Sequence, residues 1–443
     1  GFVELSMAAS MAGLVLVPLN FRLAQPEVDF ILDDSGASLL FAGAGFNDMA
    51  HAAMDAADAC EAVIDVTGDG RYGGWIDSND RWDGIRSPGS AVLYQLYTSG
   101  TTGHPKGALI THDNVLTVCR NGIQFLGPFT EQSRSLVAMP LFHVAGNGWL
   151  FFGLAAGCPS TLVVDLEPDA LLDTIGEQGI TCTLIVPAVI QMLVLNAEAK
   201  GITIRGLKTI VFGASPMPSE LLLRAKTVFP ETDFIHVYGM TETTCMFGAL
   251  DPAQLDAGQR LESCGRPFPD AEVRIMGADG QELAVGEVGE ISCRTPQMMV
   301  GYWNRPEATA AAIRDGWYWT GDAGFVDDEG YLFICDRIKD MLISGGENVY
   351  PAEVENAVLA HPAVAEVAVI GVPDEKWGEA GLAVIVTKGT DEVSDDEIKA
   401  TVRERLAAFK VPKHIARVEA LPRNGAGKVT KQELRDRFTD AAH

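Results

Sequence analysis

Residues 94–107 read YQLYTSGTTGHPKG, and the rest of the chain is organised around this stretch. A short apolar run gives way to Thr98, Ser99, Gly100, Thr101, Thr102 and Gly103, with Lys106 just beyond. Glycine lets the main chain approach an anion without a Cβ in the way, and successive N–H groups can converge on phosphate oxygens. The hydroxyls add donors and Lys106 a mobile point charge, so the chemistry is that of a polyphosphate cradle. It is not a Walker A loop, because Pro105 precedes the lysine and Gly107 follows it. TSGTTG alone would read as a flexible turn after a strand; Pro105, Lys106 and Gly107 at these offsets favour the phosphate reading.

Upstream, GLVLVPLNFRLAQPEVDFILDDSGASLLFAG (residues 13–43) reads as strand, loop, helix and strand, with Pro26 in a first helical turn and Gly36 after the last. An apolar helix spans Phe2 to Ala12, a small-residue helix Phe46 to Ala59, and a strand Ala62 to Val66; residues 68–90 read as surface loop. Downstream, strands at Ser135–Met139, Leu162–Val164, Cys182–Val186, Thr209–Phe212 and Asp233–Val237 alternate with helix-sized segments. That alternation predicts a parallel α/β core with ligand loops at the carboxyl ends of its strands. From Gly265 to Tyr331 short strands between Gly/Asp turns predict a β-rich subdomain. Beyond Lys339 lies a unit of its own. Pro351 opens a helix that His361-Pro362 ends, Val364–Val372 and Leu382–Thr387 read as strands, and Ser394/Glu397 and Thr430/Glu433 read as capping boxes. The chain is therefore divided at 339: a large domain over 1–338 containing the 265–331 subdomain, and a small domain over 339–443. It opens at Gly1 inside a helix and reads as N-terminally incomplete.

A chain of 443 residues with 47% hydrophobic and 21% charged residues fits two or three globular domains. A net charge of −27 excludes a nucleic-acid partner, which would need a basic face. The charge is uneven. Residues 410–437 carry eight basic side chains against three acidic ones, a tip suited to a small anion or simply a solvated face. No apolar run approaches a membrane span, so no integral membrane association is expected. Eight scattered cysteines without a C-x-x-C pair read as reduced thiols of a cytoplasmic protein.

Four further strings carry chemistry. YGMTE (Tyr238, Gly239, Met240, Thr241, Glu242) ends a strand with a ring that can stack on a base and a carboxylate that can hold Mg2+; alone it reads equally as a capped turn. GASPMP places Gly213, Ala214 and Ser215 just past another strand, and alone is as well read as a tight turn. YWTGD ends at Asp322, a natural acceptor for two ribose hydroxyls, though a lone TGD is usually a β-turn. PRNGAGK presents Lys428 between glycines on a loop, where a lysine is usually solvated.

Together, in this order, YTSGTTGHPKG, YGMTE, YWTGD, DRIKDMLISGGENVYP and PRNGAGK resemble the adenylate-forming enzymes: acyl-CoA synthetases, peptide-synthetase adenylation domains and luciferases. The resemblance runs from about Val17 to the C-terminus. With VPDEKWGE around Trp377, it looks most like bacterial fatty-acyl-CoA ligases, and aromatic-acid ligases share nearly all of it. It implies an α/β fold with a small mobile α+β C-terminal domain, ATP and coenzyme A as substrates, and Mg2+. By matching position it implies that residues 98–103 and Lys106 hold phosphate and that Gly213, Ala214 and Ser215 line adenine. Tyr238 would stack on adenine, with Gly239 and Met240 beside it, and Thr241 would touch the α-phosphate. Glu242, with Thr98, would hold the metal, and Asp322 with Arg337 the ribose. Lys339 would be the hinge, Gly345 and Gly346 would pass the pantetheine arm, and Lys428 would reach the reacting carboxylate. His143, read otherwise as a packed core histidine, would gate an acyl pocket of His143, Val144, Gly146, Trp149 and Gly213, with 143, 146 and 150 on one helix face. Amino-acid-activating relatives carry an Asp near here; PLFHVAGNGW has none, and an unpaired buried ammonium is costly. The expected activity is formation of acyl-AMP and then acyl-CoA from a medium- to long-chain fatty acid. An aryl or phenylpropanoid acid, loading of a carrier protein, and a nucleotide-binding remnant are the alternatives, and a homodimer is possible.

Overall fold

The computed structural model describes residues 1–67, 73–74, 84, 87–98, 105–126, 129–215, 217–256, 260–344, 347–374, 376–388, 393–423 and 429–438. The 94–107 stretch is built on an antiparallel hairpin, Val92–Thr98 against Lys106–Thr111, whose mouth pairs Thr98 with Lys106. Leu93, Tyr94, Gln95 and Leu96 are all buried, as expected for a strand covered on both faces. The short strand Gly301–Tyr302 adds to the hairpin through Leu109 and Ala108. The helix His112–Phe125 leaves it directly, and Thr111 and Asn114 close a reciprocal cap at 3.2 and 2.9 Å.

Five strands form the expected parallel core, in the spatial order Ser160–Leu162, Ser135–Val137, Cys182–Leu184, Thr209–Phe212, Asp233–Tyr238. The helices Val144–Ala156, Pro168–Glu177, Pro187–Lys200 and Ser219–Val228 connect or follow them. Buried on both faces, strands such as Thr-Ile-Val-Phe at 209–212 need no alternation. The 265–331 region does not make a detached sheet. Gly248–Leu250 pairs antiparallel with Asp233–Tyr238, and the sheet continues through Ser263–Pro267, Leu332–Arg337, Trp317–Val326, Gly289–Arg294 and Glu272–Met276. Both halves share one buried core.

Residues 13–19 do not form the expected strand. Only Leu16 bridges to Tyr94, its N–H donating to Leu93 O and its carbonyl accepting from Gln95 N. The next donor in a parallel ladder would be residue 18, which is Pro18 and has no N–H, so pairing stops.

The fold is thus a large N-terminal α/β domain with a smaller C-terminal domain. The smaller one has its own buried clusters on the two faces of a sheet dominated by the long pair Val364–Asp374 and Gly378–Thr387. The helices Pro351–Leu359, Asp395–Arg403 and Lys431–Phe438 pack on it. At Ser394 the capping box is complete: Glu397 N–H donates to Ser394 Oγ at 3.3 Å, and Ser394 N–H to Glu397 Oε2 at 2.9 Å. At Thr430 it is not. The hydroxyl is buried with no partner among the described residues, because Glu433 N–H is taken by the Thr430 main-chain carbonyl at 3.1 Å. Ser394→Ala should therefore cost about 1 kcal/mol, the usual worth of a side-chain cap, whereas Thr430→Ala should cost nothing. Urea midpoints of the two variants separate them.

Candidate active site

The carboxyl ends of the parallel strands gather the predicted loops on one edge of the sheet. Thr209–Phe212 and Asp233–Tyr238 are neighbours, with Phe212 opposite His236, so the Gly213 and Gly239 loops emerge side by side. Gly213 is obligatory by contact, since a Cβ there would lie 2.5 Å from Val237 O. Ala214 follows at φ +65°, and both Ala214 and Ser215 are exposed. Beneath them the His236 ring stacks on Phe212 at 4.8 Å and shares a 2.9 Å hydrogen bond between Nδ1 and Ser263 O. Burial pulls its pKa down to about 4, so it stays neutral.

After Tyr238 the chain turns through a single 3-10 turn, Thr241–Thr243, which carries Glu242 inward to 8% exposure. Thr98 Oγ1 donates to Glu242 Oε1 at 3.3 Å, and Tyr302 OH donates to the same oxygen at 2.8 Å. Lys106 Nζ lies 5.3 Å over the Tyr302 ring. Burial, then the Glu242 charge, push the Tyr302 hydroxyl up, so it remains a donor. Beside them Tyr238 OH donates to Asp322 Oδ2 at 2.6 Å, and Arg337 Nε pairs with Asp322 Oδ1 at 2.7 Å. Asp322 and Arg337 are direct cross-strand partners, which is why the pair is in register. Asp322 is 5% exposed while Arg337 is open to solvent, so the pair sits at the rim of a buried floor.

Glu242 fits a hard cation. It is a buried carboxylate whose hydrogen bonds among the described residues come from neutral hydroxyls, and it stands at the mouth of the Val92–Thr111 hairpin. Mg2+ is usually held by one or two carboxylates together with substrate phosphates, not by a protein cage. Consistently, no group of three potential metal-ligating side chains occurs among the described residues.

The profile of the AMP-binding enzyme family matches residues 1–303, and that of the AMP-binding enzyme C-terminal domain matches 353–428. A feruloyl-CoA synthase of Amycolatopsis is 39% identical over 439 residues, covering 99% of this chain and 86% of the relative. A fatty acid–[acyl-carrier-protein] ligase of Streptomyces coeruleorubidus is 36% identical, covering 99% and 84%. The o-succinylbenzoate coenzyme A synthetase of Bacillus subtilis, solved with ATP and magnesium ion, superposes with a TM-score of 0.86 at 32% identity, covering 98% of this chain and 87% of that one. The chain belongs to the AMP-binding enzyme family. It is an AMP-forming acid–thiol ligase.

Several expected site residues of this AMP-binding enzyme lie outside the described residues: Ser99, Gly100, Thr101, Thr102 and Gly103 of the phosphate loop, Gly345 and Gly346, and Lys428. Thr98, Lys106 and Glu242 meet around Tyr302, and Tyr238, Asp322 and Arg337 meet beside the Gly213 and Gly239 loops, with Met240 and Thr241 half-buried. Lys339 is exposed in the turn at 338–340 that follows the Leu332–Arg337 strand. Sequence reasoning missed Tyr302. The available signal was an aromatic after Gly301, whose φ is +152°.

The acyl-pocket reading needs correcting. His143 is the N-cap residue of the Val144–Ala156 helix, with its ring against Phe142 at 4.5 Å. Gly146, however, faces the preceding turn, and a Cβ there would lie 2.3 Å from Met139 O and 2.4 Å from Pro140 O. Trp149 is 1% exposed and packs edge-on against Phe129 and Phe152. Among the described residues, neither belongs to the lining of the space between this helix and the hairpin. The face turned to the hairpin is that of Val144, Asn147, Gly148 and Phe151. Gly146→Ala should therefore lower stability by roughly 1–3 kcal/mol, as overpacking does, without changing the order of preferred acids. Gly148→Ala, whose Cβ would meet only Cys245 atoms at 3.4 Å and beyond, should not lower the denaturation midpoint.

Proposed function

We infer that this ligase activates a hydrophobic carboxylic acid as its acyl-adenylate and passes it to coenzyme A. The supporting observation is the Glu242 junction. A YGMTE carboxylate is held by Thr98 at the phosphate hairpin and by Tyr302, three segments far apart in sequence. In this reading ATP lies with its phosphates in the 98–106 hairpin, its ribose on Asp322 and Arg337, and its base against Tyr238 and the 213–215 loop. Mg2+ held by Glu242 and Thr98 would draw charge from the phosphate oxygens. The substrate carboxylate oxygen attacks the α-phosphorus and pyrophosphate leaves. Lys428 offsets the charge that builds there. The small domain, hinged at Lys339, then turns, the coenzyme A thiol attacks the acyl carbonyl, and AMP leaves. A swing of this kind lets one cleft serve two reactions.

Coenzyme A is favoured over a carrier protein by the surface around Trp377. The ring is 38% exposed, with Lys376 Nζ at 4.7 Å and Lys413 Nζ at 5.5 Å from its centroid. Both Lys376 and Trp377 N–H groups donate to Asp374 Oδ1, which fixes the turn. The adjoining Gly378 pairs with Ser344, the residue leading into Gly345 and Gly346. An aromatic face flanked by two cations suits a phosphorylated nucleotide. For the acid, a fatty chain and an aryl acid are both compatible with the relatives.

Two measurements test the reading. Pyrophosphate release with a panel of carboxylates should require Glu242. Glu242→Gln should lower it by roughly two to three orders of magnitude, and Lys428→Ala should do the same while synthetic acyl-AMP plus coenzyme A still reacts in the lysine variant. Equal loss of both half-reactions in Lys428→Ala would contradict the two-orientation scheme. Trp377→Ala should raise KM for coenzyme A severalfold and leave KM for free pantetheine unchanged; no difference between the two thiols would remove the nucleotide platform.

A further inference from the structure

The segment 297–302 holds Glu242 by both its main chain and its carboxylate. Met299 N–H donates to Glu242 O at 2.8 Å, and Tyr302 OH, three residues on, donates to Glu242 Oε1 at 2.8 Å. Gln297 reaches past Glu242 into the turn that follows it. Its side-chain amide donates to Thr243 O at 3.1 Å and to Met246 O. Those two carbonyls flank Thr244 and Cys245, whose φ values of +50° and +91° lie in the left-handed region that side chains disfavour. Thr244 Oγ1 in turn donates to Gln297 O at 2.6 Å. Thr243, Thr244, Met246 and Gln297 are all buried, so a lost partner here would not be replaced by bulk water. Gln297 is itself fixed from behind. Its Oε1 accepts from Asn121 Nδ2 at 3.2 Å, and that nitrogen also donates to the Asp270 carboxylate at 3.0 and 3.1 Å. Asn121 stands on the helix His112–Phe125, which continues directly from the hairpin. A carboxamide meets this demand, with two donors for two carbonyls and an acceptor for Asn121. A glutamate would set charge against the carbonyls, and an aliphatic side chain would leave them without that donor.

We propose that Gln297 is a positioning residue for metal use. It clamps the turn on either side of its two strained residues and so keeps the Glu242 carboxylate at Thr98 and Tyr302, fixed for Mg2+. Strained backbone persists only where its surroundings over-determine it. Without the amide the turn relaxes, and the carboxylate loses its set position although its own hydrogen-bond donors remain. The inference rests on the ligase reading above, with Glu242 as the metal carboxylate, and adds a residue that acts on the metal through Glu242 alone.

The test is a pair of binding measurements by calorimetry in the parent, Gln297→Met and Glu242→Gln. One is the Mg2+ concentration at which tight ATP binding is half developed; the other is the Kd of AMP in a chelator, without metal. Methionine keeps the length and the unbranched shape of glutamine and removes its amide. Gln297→Met should raise the Mg2+ requirement roughly tenfold or more, as loss of a group that orients a metal ligand does, while the Kd of AMP stays close to that of the parent. Glu242→Gln sets the upper limit of the effect. A merely structural glutamine would weaken AMP and the Mg2+ requirement together, or neither, and either result would overturn the proposal. If Gln297→Met does not fold, Asn121→Ala decides: it leaves Gln297 in place but unbraced, and the Mg2+ requirement should rise severalfold, again without loss of AMP. An unchanged requirement there overturns the proposal as well. Failure of the underlying reading is distinguishable, because then the parent itself binds neither nucleotide, or its Mg2+ requirement does not respond to Glu242→Gln.

Discussion

The structure turns on a buried carboxylate that has to be held in place. Glu242 is 8% exposed and receives hydrogen bonds from Thr98 and Tyr302, which come from opposite ends of the large domain in sequence. A buried anion without such donors would be prohibitively costly. The hairpin, the loop after Asp233–Tyr238 and the strand Gly301–Tyr302 must therefore come together for any one of them to settle. Main-chain bonds complete the join: Met299 N–H donates to Glu242 O, Val300 N–H to Leu109 O, and Trp303 N–H to Gly107 O. On the outer side Asp34 accepts from Tyr97 OH and Trp303 Nε1 and pairs with Arg305, tying the helix Gln25–Ser35 to the same junction.

The backbone just past Glu242 is strained, with Thr244 at φ +50° and Cys245 at φ +91°, conformations that side-chain-bearing residues rarely adopt. Such strain persists where the surroundings over-determine it. Here Gln297, wholly buried, supplies the constraint. Its side-chain amide donates to Thr243 O at 3.1 Å and to Met246 O, and its main-chain carbonyl accepts from Thr244 Oγ1 at 2.6 Å. Asn121 Nδ2 donates to Gln297 Oε1 and to Asp270, which links this bracket to the helix behind the hairpin. The loop that aims Glu242 is thus held by a polar network in the core, and little of that support is local.

Where the two domains meet, charge is again concentrated around few residues. Ala352 N–H donates to Asp336 Oδ2 at 2.7 Å, so the last strand of the large domain caps the first long helix of the small one. Burial pushes Asp336 up, while Lys431 and that N–H favour its charged form. Burial opposes the charge on Lys431, but Glu355 and Asp336 outweigh it and raise its pKa. Arg435, one helical turn on, pairs with Asp340 beside Lys339. The helix Lys431–Phe438 is therefore anchored at the turn we propose as the hinge.

Local pattern and short motifs were enough to read most elements. The alternation of strand- and helix-sized apolar segments, the Ser394 capping box and the glycine loops at strand ends all follow from contacts within a few residues, which a linear sequence displays. The Leu16 pairing stops at Pro18 for an equally local reason, although the segment's apolar composition points to a strand. What lay beyond the sequence depended on partners far along the chain. Nothing in GYWNRP says that Tyr302 will meet a carboxylate sixty residues earlier. Nothing in HVAGNGW says that Gly146 faces Met139 and Pro140 carbonyls while Asn147 turns into the hairpin. A helix offers several faces, and which of them becomes wall, core or pocket is set by what packs against each. The sequence by itself determined the family, the fold class and the chemical types at the cleft, since these reside in residue identity and spacing. Only the tertiary structure decided which side chains share a surface, because burial and hydrogen-bond satisfaction are properties of neighbours in space.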